Sequence, residues 1–222
     1  MRKNIESFRL HNIKKGNAQM KIYDISQEVF GCSVYPGDPN PKKGILRSIE
    51  CGDLYNLSEL SMCVHNGTHI DAPYHFLQEG KSVEKIALEK VIGYAFVATH
   101  NGNLLSDDAL RMLEKAKQQS PKSAKRILLK GNAIVTLSAA KIFAENHIEL
   151  IGVESQSVGP EDAPMAVHIA LLEKDIVLLE GLRLLDVPEG VYFLCAAPLA
   201  LADADGAPCR AVLIQFDEND HK

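Results

Sequence analysis

His65-Asn66-Gly67-Thr68-His69-Ile70-Asp71-Ala72-Pro73-Tyr74-His75 gathers three of the chain's eight histidines and one carboxylate into a single short stretch. Imidazole and carboxylate together hold a divalent metal near neutral pH, with no thiolate required. All four side chains fall on odd positions. In an extended chain, residues two apart share a face, so His65, His69, Asp71 and His75 would point the same way. A helix would align His65 with His69 but turn Asp71 roughly 200° away from His69. Gly67 and Pro73 also interrupt a helix. The stretch is therefore placed at the end of a strand that runs on into a loop, with residues 57–64 as the strand that delivers His65. It differs from the His-Glu-x-x-His helix of metalloproteases, because Asn66 stands where that motif has its glutamate.

Working outward, residues 20–25 read as a short, half-exposed strand, and residues 34–39 (Val-Tyr-Pro-Gly-Asp-Pro) as a turn-rich loop. Residues 83–88 are amphipathic but short. Strands are predicted over 94–99, 126–130, 149–154, 176–179, 191–197 and 210–216 from their apolar and β-branched content. Helices are predicted from a cap at residues 106–108 to 119, from Thr136 or Ser138 to 146, and over 162–174 with Pro164 in its first turn. Strand-rich ends around an αβαβ middle give an α/β class, a mixed sheet packed with helices on at least one face. No dinucleotide fingerprint or phosphate-binding loop occurs.

The 222 residues, 46% hydrophobic, suit one domain better than two. Residues 1–19 read as an N-terminal extension, flexible or helical, and residues 20–222 as the folded unit. Net charge is −5 and no long basic run occurs, which argues against nucleic acid and for a small-molecule substrate. No signal peptide or membrane span is visible. Five scattered cysteines without a CxxC pair point to a reducing compartment, hence a cytoplasmic protein. Cys63 reads as a small buried hydrophobe rather than a ligand. His11, His100, His147 and His221 are assigned to termini, a turn and a helix end. The basic residues of 115–126 read as a solvated face.

A catalytic centre needs groups from elsewhere in the chain. Glu180 ends the apolar run 176–179, where a carboxylate is costly unless paired or metal-bound. His168 lies mid-helix. Taken alone, each fits a satisfied structural role as well as it fits a ligand.

Residues 65–75 resemble, at every fixed position, the HxGTHxDxPxH motif of the metal-dependent cyclase family, which includes bacterial kynurenine formamidases and isatin hydrolases. The resemblance extends over residues 20–217, through Tyr35-Pro36-Gly37-Asp38, Ser155-Gln156-Ser157-Val158, the His168 and Glu180 pair, and Asp186-Val187-Pro188. It implies a swivelling β/β/α fold with a mixed sheet, assembled as a homodimer or homotetramer. It further implies that His65, His69 and Asp71 hold one metal. Asp71 would bridge to a second metal bound by His168, with Glu180 touching both. His75 would be the proton shuttle, and Tyr35 would line the substrate pocket where the formamidases have Trp. Zn²⁺, one or two ions, is the implied metal, with Mn²⁺ as the alternative. Three departures stand out: the chain has no Trp, Glu154 replaces the usual Asp, and Gly159-Pro160 replaces Asp-Pro.

The chemistry expected of such a site is hydrolysis. Metal binding lowers the pKa of water from 15.7 towards about 7, giving a hydroxide able to attack a formamide or cyclic amide. His75 would then carry the proton to the leaving amine. The leading expectation is an arylformamidase-type amide hydrolase acting on N-formyl-L-kynurenine. The alternatives are a hydrolase of another small cyclic amide, ester or lactone, like the isatin hydrolases, and a non-catalytic metal-binding protein on the same scaffold.

Overall fold

The computed structural model describes residues 11–15 and 18–216. Its strands are β1 (His11–Lys15), β2 (Ala18–Asp24), β3 (Lys42–Arg47), β4 (Leu57–Ser61), β5 (His69–Asp71), β6 (Ile92–Thr99) and β7 (Gly102–Leu104), followed by β8 (Arg126–Lys130), β9 (Ala133–Val135), β10 (Leu150–Val153), β11 (Val177–Glu180), β12 (Gly190–Cys195), β13 (Gly206–Pro208) and β14 (Val212–Gln215). The helices are α1 (Leu88–Val91), α2 (Ser106–Gln119), α3 (Leu137–Glu145) and α4 (Met165–Leu172).

Ten strands form one mixed sheet in the order β1-β2-β14-β12-β6-β8-β10-β11-β5-β13. Its centre, β6-β8-β10-β11, is parallel, and both flanks are antiparallel. The parallel strands are apolar because both of their faces are covered. Successive residues go to opposite sides, as the two-residue strand period requires. Phe96, Ile127 and Leu178 pack in one apolar cluster with Leu113, Phe143 and Leu171 of the helices. Val97, Leu128 and Leu179 pack in a second cluster on the other face. That second cluster also holds Tyr23, Leu213 and Ile70, from strands far apart in the sheet order. The sheet must curl to bring them together, and its own outer strands cover its inner face. The backbone N–H of Gln27, just past β2, donates to Thr68 Oγ1 and closes the curl beside the histidine stretch.

The α/β reading with a mixed sheet holds, and so do the central strands and helices to within a few residues. Thr136 caps α3, with Ala139 N–H donating to its hydroxyl. The helix predicted over 162–174 shortens to α4, with Pro164 at its N-cap. Two readings need correction. The strand of 57–64 ends at Ser61 and pairs only with β3, in a ribbon apart from the main sheet, so it does not deliver His65. The sheet also starts before residue 20, because β1 and β2 already pair across residues 11–15 and 18–22. His221 lies outside the described residues.

Candidate metal centre

β5 and β11 run antiparallel, and their register sets Glu180 opposite His69. His69 and Asp71, two apart on β5, share the face that the odd-position reading requires. The extended run covers only those three residues. His65 reaches the site from a turn in which Gly67 takes φ 68°, and His75 from a 3₁₀ turn at residues 73–75. Period two thus explains His69 and Asp71, while backbone reversals place the other two. Gly181, which follows Glu180 with φ 71°, lies so close to the Gly67 carbonyl that any Cβ would stand 2.2 Å from it. Only glycine lets the two loops meet here.

The donor atoms converge. His69 Nε2 lies 3.4 Å from Asp71 Oδ1 and 3.5 Å from Glu180 Oε2. His168 Nε2, brought by α4, lies 3.4 Å from Glu180 Oε1 and 3.7 Å from Asp71 Oδ2. His65 Nδ1 is 2.8 Å from Asp71 Oδ1. Three triplets have ligand atoms within 4.8 Å of one another: His65-His69-Asp71 and Asp71-His168-Glu180, which share Asp71, and the less buried His65-His75-Asp205.

The rings are oriented from behind. His69 Nδ1–H donates to the Gly67 carbonyl at 3.0 Å, and His168 Nδ1–H donates to the Pro164 carbonyl at 2.8 Å. Each therefore turns its Nε2 towards the carboxylates, which is how metal-ligating imidazoles are held. His69 Nε2 and Asp71 Oδ2 are buried and have no hydrogen-bond partner among the described residues. Orphaned polar atoms of this kind are uncommon in folded proteins and call for an explanation. Two buried carboxylates facing each other call for the same one, because like charges out of water need a cation between them. Only nitrogen and oxygen donors converge, and that set fits a divalent ion.

With protein groups alone, protons stand in for that charge. Burial opposes the charged form of His65, but Asp205 and Asp71 outweigh it and lift its pKa to about 10. His69 is fully buried, yet Asp71 and Glu180 raise it to about 9. Burial also works against His168⁺, and Glu180 and Asp71 again win, so its pKa rises. Asp71 is held well below the usual carboxylate range, since His65 and His69 overcome its burial. His75 moves the other way. Burial lowers its pKa and the His65 charge adds to the fall, against the pull of Asp71.

His65, His69, His75, His168 and Glu180 line a cavity of about 410 Å³, whose wall also includes Tyr35, Phe76, Gln156 and Ser157. Tyr35 is fixed there by its hydroxyl, which donates to the Glu161 carbonyl at 2.8 Å. A larger cavity of about 640 Å³ lies elsewhere, lined by Phe30, Leu60, Met62 and Leu199 among others. Volume alone would select it, but converging ligand atoms decide for the smaller one. Glu154 stands outside the site and clamps two loops, accepting from the N–H groups of Gly131 and Leu184. Gly159 packs against the start of α4, where a Cβ would lie 3.1 Å from Val167 Cβ. Cys63 lines the cavity but belongs to none of the triplets.

Asp205 is the site residue that sequence reasoning missed. Its Oδ2 lies 2.8 Å from His65 Nε2 and 3.2 Å from His75 Nδ1. The His65 partner holds its pKa down to about 2. No local pattern marks it. It sits in an ordinary acidic turn and arrives through the pairing of β13 with β5.

Residues 20–160 match the family model Cyclase, described as "Putative cyclase". The kynurenine formamidase of Salinibacter ruber is 35% identical over 210 residues, covering 87% of this chain and 97% of that protein. The kynurenine formamidase of Bacillus anthracis is 35% identical over 207 residues, with the same coverage. A "predicted metal-dependent hydrolase" from Bacillus stearothermophilus superposes with a TM-score of 0.72 at 29% identity, over 88% of this chain and 98% of that one. Isatin hydrolase A from Labrenzia aggregata shares the fold, with a TM-score of 0.76 at 19% identity, over 89% of this chain and 94% of that one. On the family match and on relatives alike over nearly their whole length, this chain belongs to the cyclase family.

Proposed function

We propose that this chain is a metal-dependent hydrolase of carbon–nitrogen bonds other than peptide bonds, and that it cleaves N-formyl-L-kynurenine to kynurenine and formate. The observation that carries this reading is the pair of buried orphan atoms, His69 Nε2 and Asp71 Oδ2, inside a set of imidazoles and carboxylates. The near full-length likeness to two kynurenine formamidases supports the choice of substrate.

In this reading His65, His69 and Asp71 hold one divalent cation, and Asp71, His168 and Glu180 hold a second. When bound, the cation supplies Lewis acidity, which acidifies water and polarises the formyl carbonyl. The chain does the rest. Gly67 and Pro164 fix the ligand imidazoles through their carbonyls. Tyr35 and Phe76 supply an aromatic wall for the aryl ring of the substrate. The reaction adds water across the C–N bond, with hydroxyl going to the formyl carbon and a proton to the leaving aniline nitrogen. His75 carries that proton. It is half-buried at the cavity wall, and burial lowers its pKa, which favours the neutral ring that can accept a proton.

Zn²⁺ is the proposed ion and Mn²⁺ the alternative, since imidazole and carboxylate suit both. Tyr35 in a chain with no Trp favours a second reading, a small cyclic amide or lactone as substrate. The assembly is proposed to be a homodimer or homotetramer. The β3–β4 ribbon supports this, because it exposes Ile45, Leu54 and Tyr55, and an isolated two-stranded ribbon is marginal in water. A cytoplasmic location is supported by five unpaired cysteines. Among the described residues, no helix is long and apolar enough to cross a membrane.

The test is a substrate panel of N-formylkynurenine, isatin and simple lactones, run on chelated and on metal-reconstituted protein. Metal-dependent turnover of N-formylkynurenine above the others is expected. Turnover confined to isatin or lactones would favour the second reading, and full activity after chelation would sink both.

A further inference from the structure

His65 and His75 stand side by side, with ring centroids 4.0 Å apart and planes 33° from parallel. The same carboxylate oxygen, Asp205 Oδ2, touches both rings. The backbone fixes that carboxylate. The Asp205 carbonyl accepts from Ala72 N–H at 2.9 Å, one residue past Asp71, and Gly206 pairs with Asp71 across β13 and β5. Position 206 has no room for a side chain, because a Cβ there would lie 2.7 Å from His65 Cε1 and 2.7 Å from the Ile70 carbonyl. The turn of residues 203–206 is thus pressed against the His65 ring.

We propose that Asp205 is a positioning residue that sets the tautomers of both His65 and His75, and so links cation binding to proton transfer. This rests on the metal-hydrolase reading above. His65 faces Asp71 with Nδ1 and Asp205 with Nε2. To offer Nδ1 to a cation held with His69 and Asp71, His65 must keep its proton on Nε2, where Asp205 accepts it. Such carboxylate–histidine–metal relays fix ring orientation and raise ligand basicity. His75 faces the same oxygen with Nδ1. Donation from Nδ1–H leaves Nε2 with a lone pair, free to take a proton inside the cavity. One carboxylate therefore holds the two rings in opposite tautomers, one for ligation and one for transfer.

Asp205→Asn tests this with little change of shape. Cation affinity, measured by competition with a chelating dye, should fall about 10–100-fold. At saturating Zn²⁺, kcat on N-formylkynurenine should fall by a similar factor with KM nearly unchanged. Added to His75→Ala, the same change should produce little further loss of kcat, since it acts through His75. Full additivity in that double variant, or unchanged affinity together with unchanged kcat, would overturn the proposal. The affinity arm needs no substrate, so it stands even if the formamidase reading fails. If Asp205→Asn does not fold, ¹⁵N shifts of the wild-type histidines, assigned with His65→Gln and His75→Gln, decide the matter. Zn²⁺-loaded protein should show His65 protonated on Nε2 and His75 on Nδ1, and the reverse in either ring would refute it.

Discussion

Two charged clusters are buried on the same sheet, and they are built on opposite plans. Arg126, at the start of β8, donates Nε–H to the Lys90 carbonyl at 2.9 Å and Nη1–H to the Tyr94 carbonyl at 3.3 Å, while Nη2 serves the Glu89 carbonyl and Glu149 Oε2. Every polar arm of that guanidinium is used. At the ends of β5 and β11, carboxylates and imidazoles are buried too, yet His69 Nε2 and Asp71 Oδ2 have no hydrogen-bond partner among the described residues. A charge buried for stability is matched by its own chain. A set buried for binding keeps donor atoms unmatched, and neighbouring backbone carbonyls hold those atoms in place. The contrast separates a lock from a ligand set without appeal to any relative.

The contrast can be broken by substitution, and the largest effect should come from a ligand. His69→Ala should reduce cation affinity by more than about 100-fold, beyond what losing an outer partner costs, and remove measurable turnover. Metal analysis with a formamidase assay checks both. His75→Ala should keep the cation and lower kcat roughly 10²–10⁴-fold, the usual worth of acid–base help. Equal metal loss in these two variants would contradict the division of roles. Arg126→Met should do the reverse of both. It should lower stability by about 3 kcal/mol in urea titrations, the low end for a broken buried pair because Glu149 keeps some contact with water. Its cation affinity and kcat should match wild type.

A smaller effect separates the clusters by pH. In protein stripped of metal, His65 and His69 titrate at about 10 and about 9, above their ordinary 6.5. Groups raised on folding stabilise fully below the unfolded value, and that contribution is lost as pH rises through the folded one. The Tm of chelated protein should therefore fall between pH 7 and pH 10. A cation must displace the same protons, so its affinity should rise over that window and the gap in Tm between loaded and stripped protein should widen. The Tm deficit of Arg126→Met should stay flat from pH 7 to pH 9. A flat Tm in the stripped wild type would mean that the imidazoles do not carry those protons.

The two clusters also differ in how far they can be read from the chain. His69 and Asp71 are legible because a strand's period puts them on one face, and Glu180 because a carboxylate closing an apolar strand needs a reason. The αβαβ centre is legible because its strands are buried on both faces and Thr136 caps α3. His65 and His75 are read into the same cluster for an incomplete reason, since turns at Gly67 and Pro73 bring them in rather than extended chain. Asp205 and the Arg126–Glu149 lock are invisible locally. Each depends on which strand pairs with which, β13 with β5 and β8 with β10, and that pairing leaves no mark on neighbouring residues. The same holds for the curl of the sheet, and for the ribbon that takes residues 57–61 away from the site.

The most direct test is elemental analysis of the purified protein, followed by chelation and re-addition of Zn²⁺ while N-formylkynurenine hydrolysis is monitored. We predict one or two divalent ions per chain, with turnover lost on their removal and restored with them. Protein that binds no divalent ion under any of these conditions, or that hydrolyses the substrate equally well once stripped, would contradict the claim that this cluster is a ligand set.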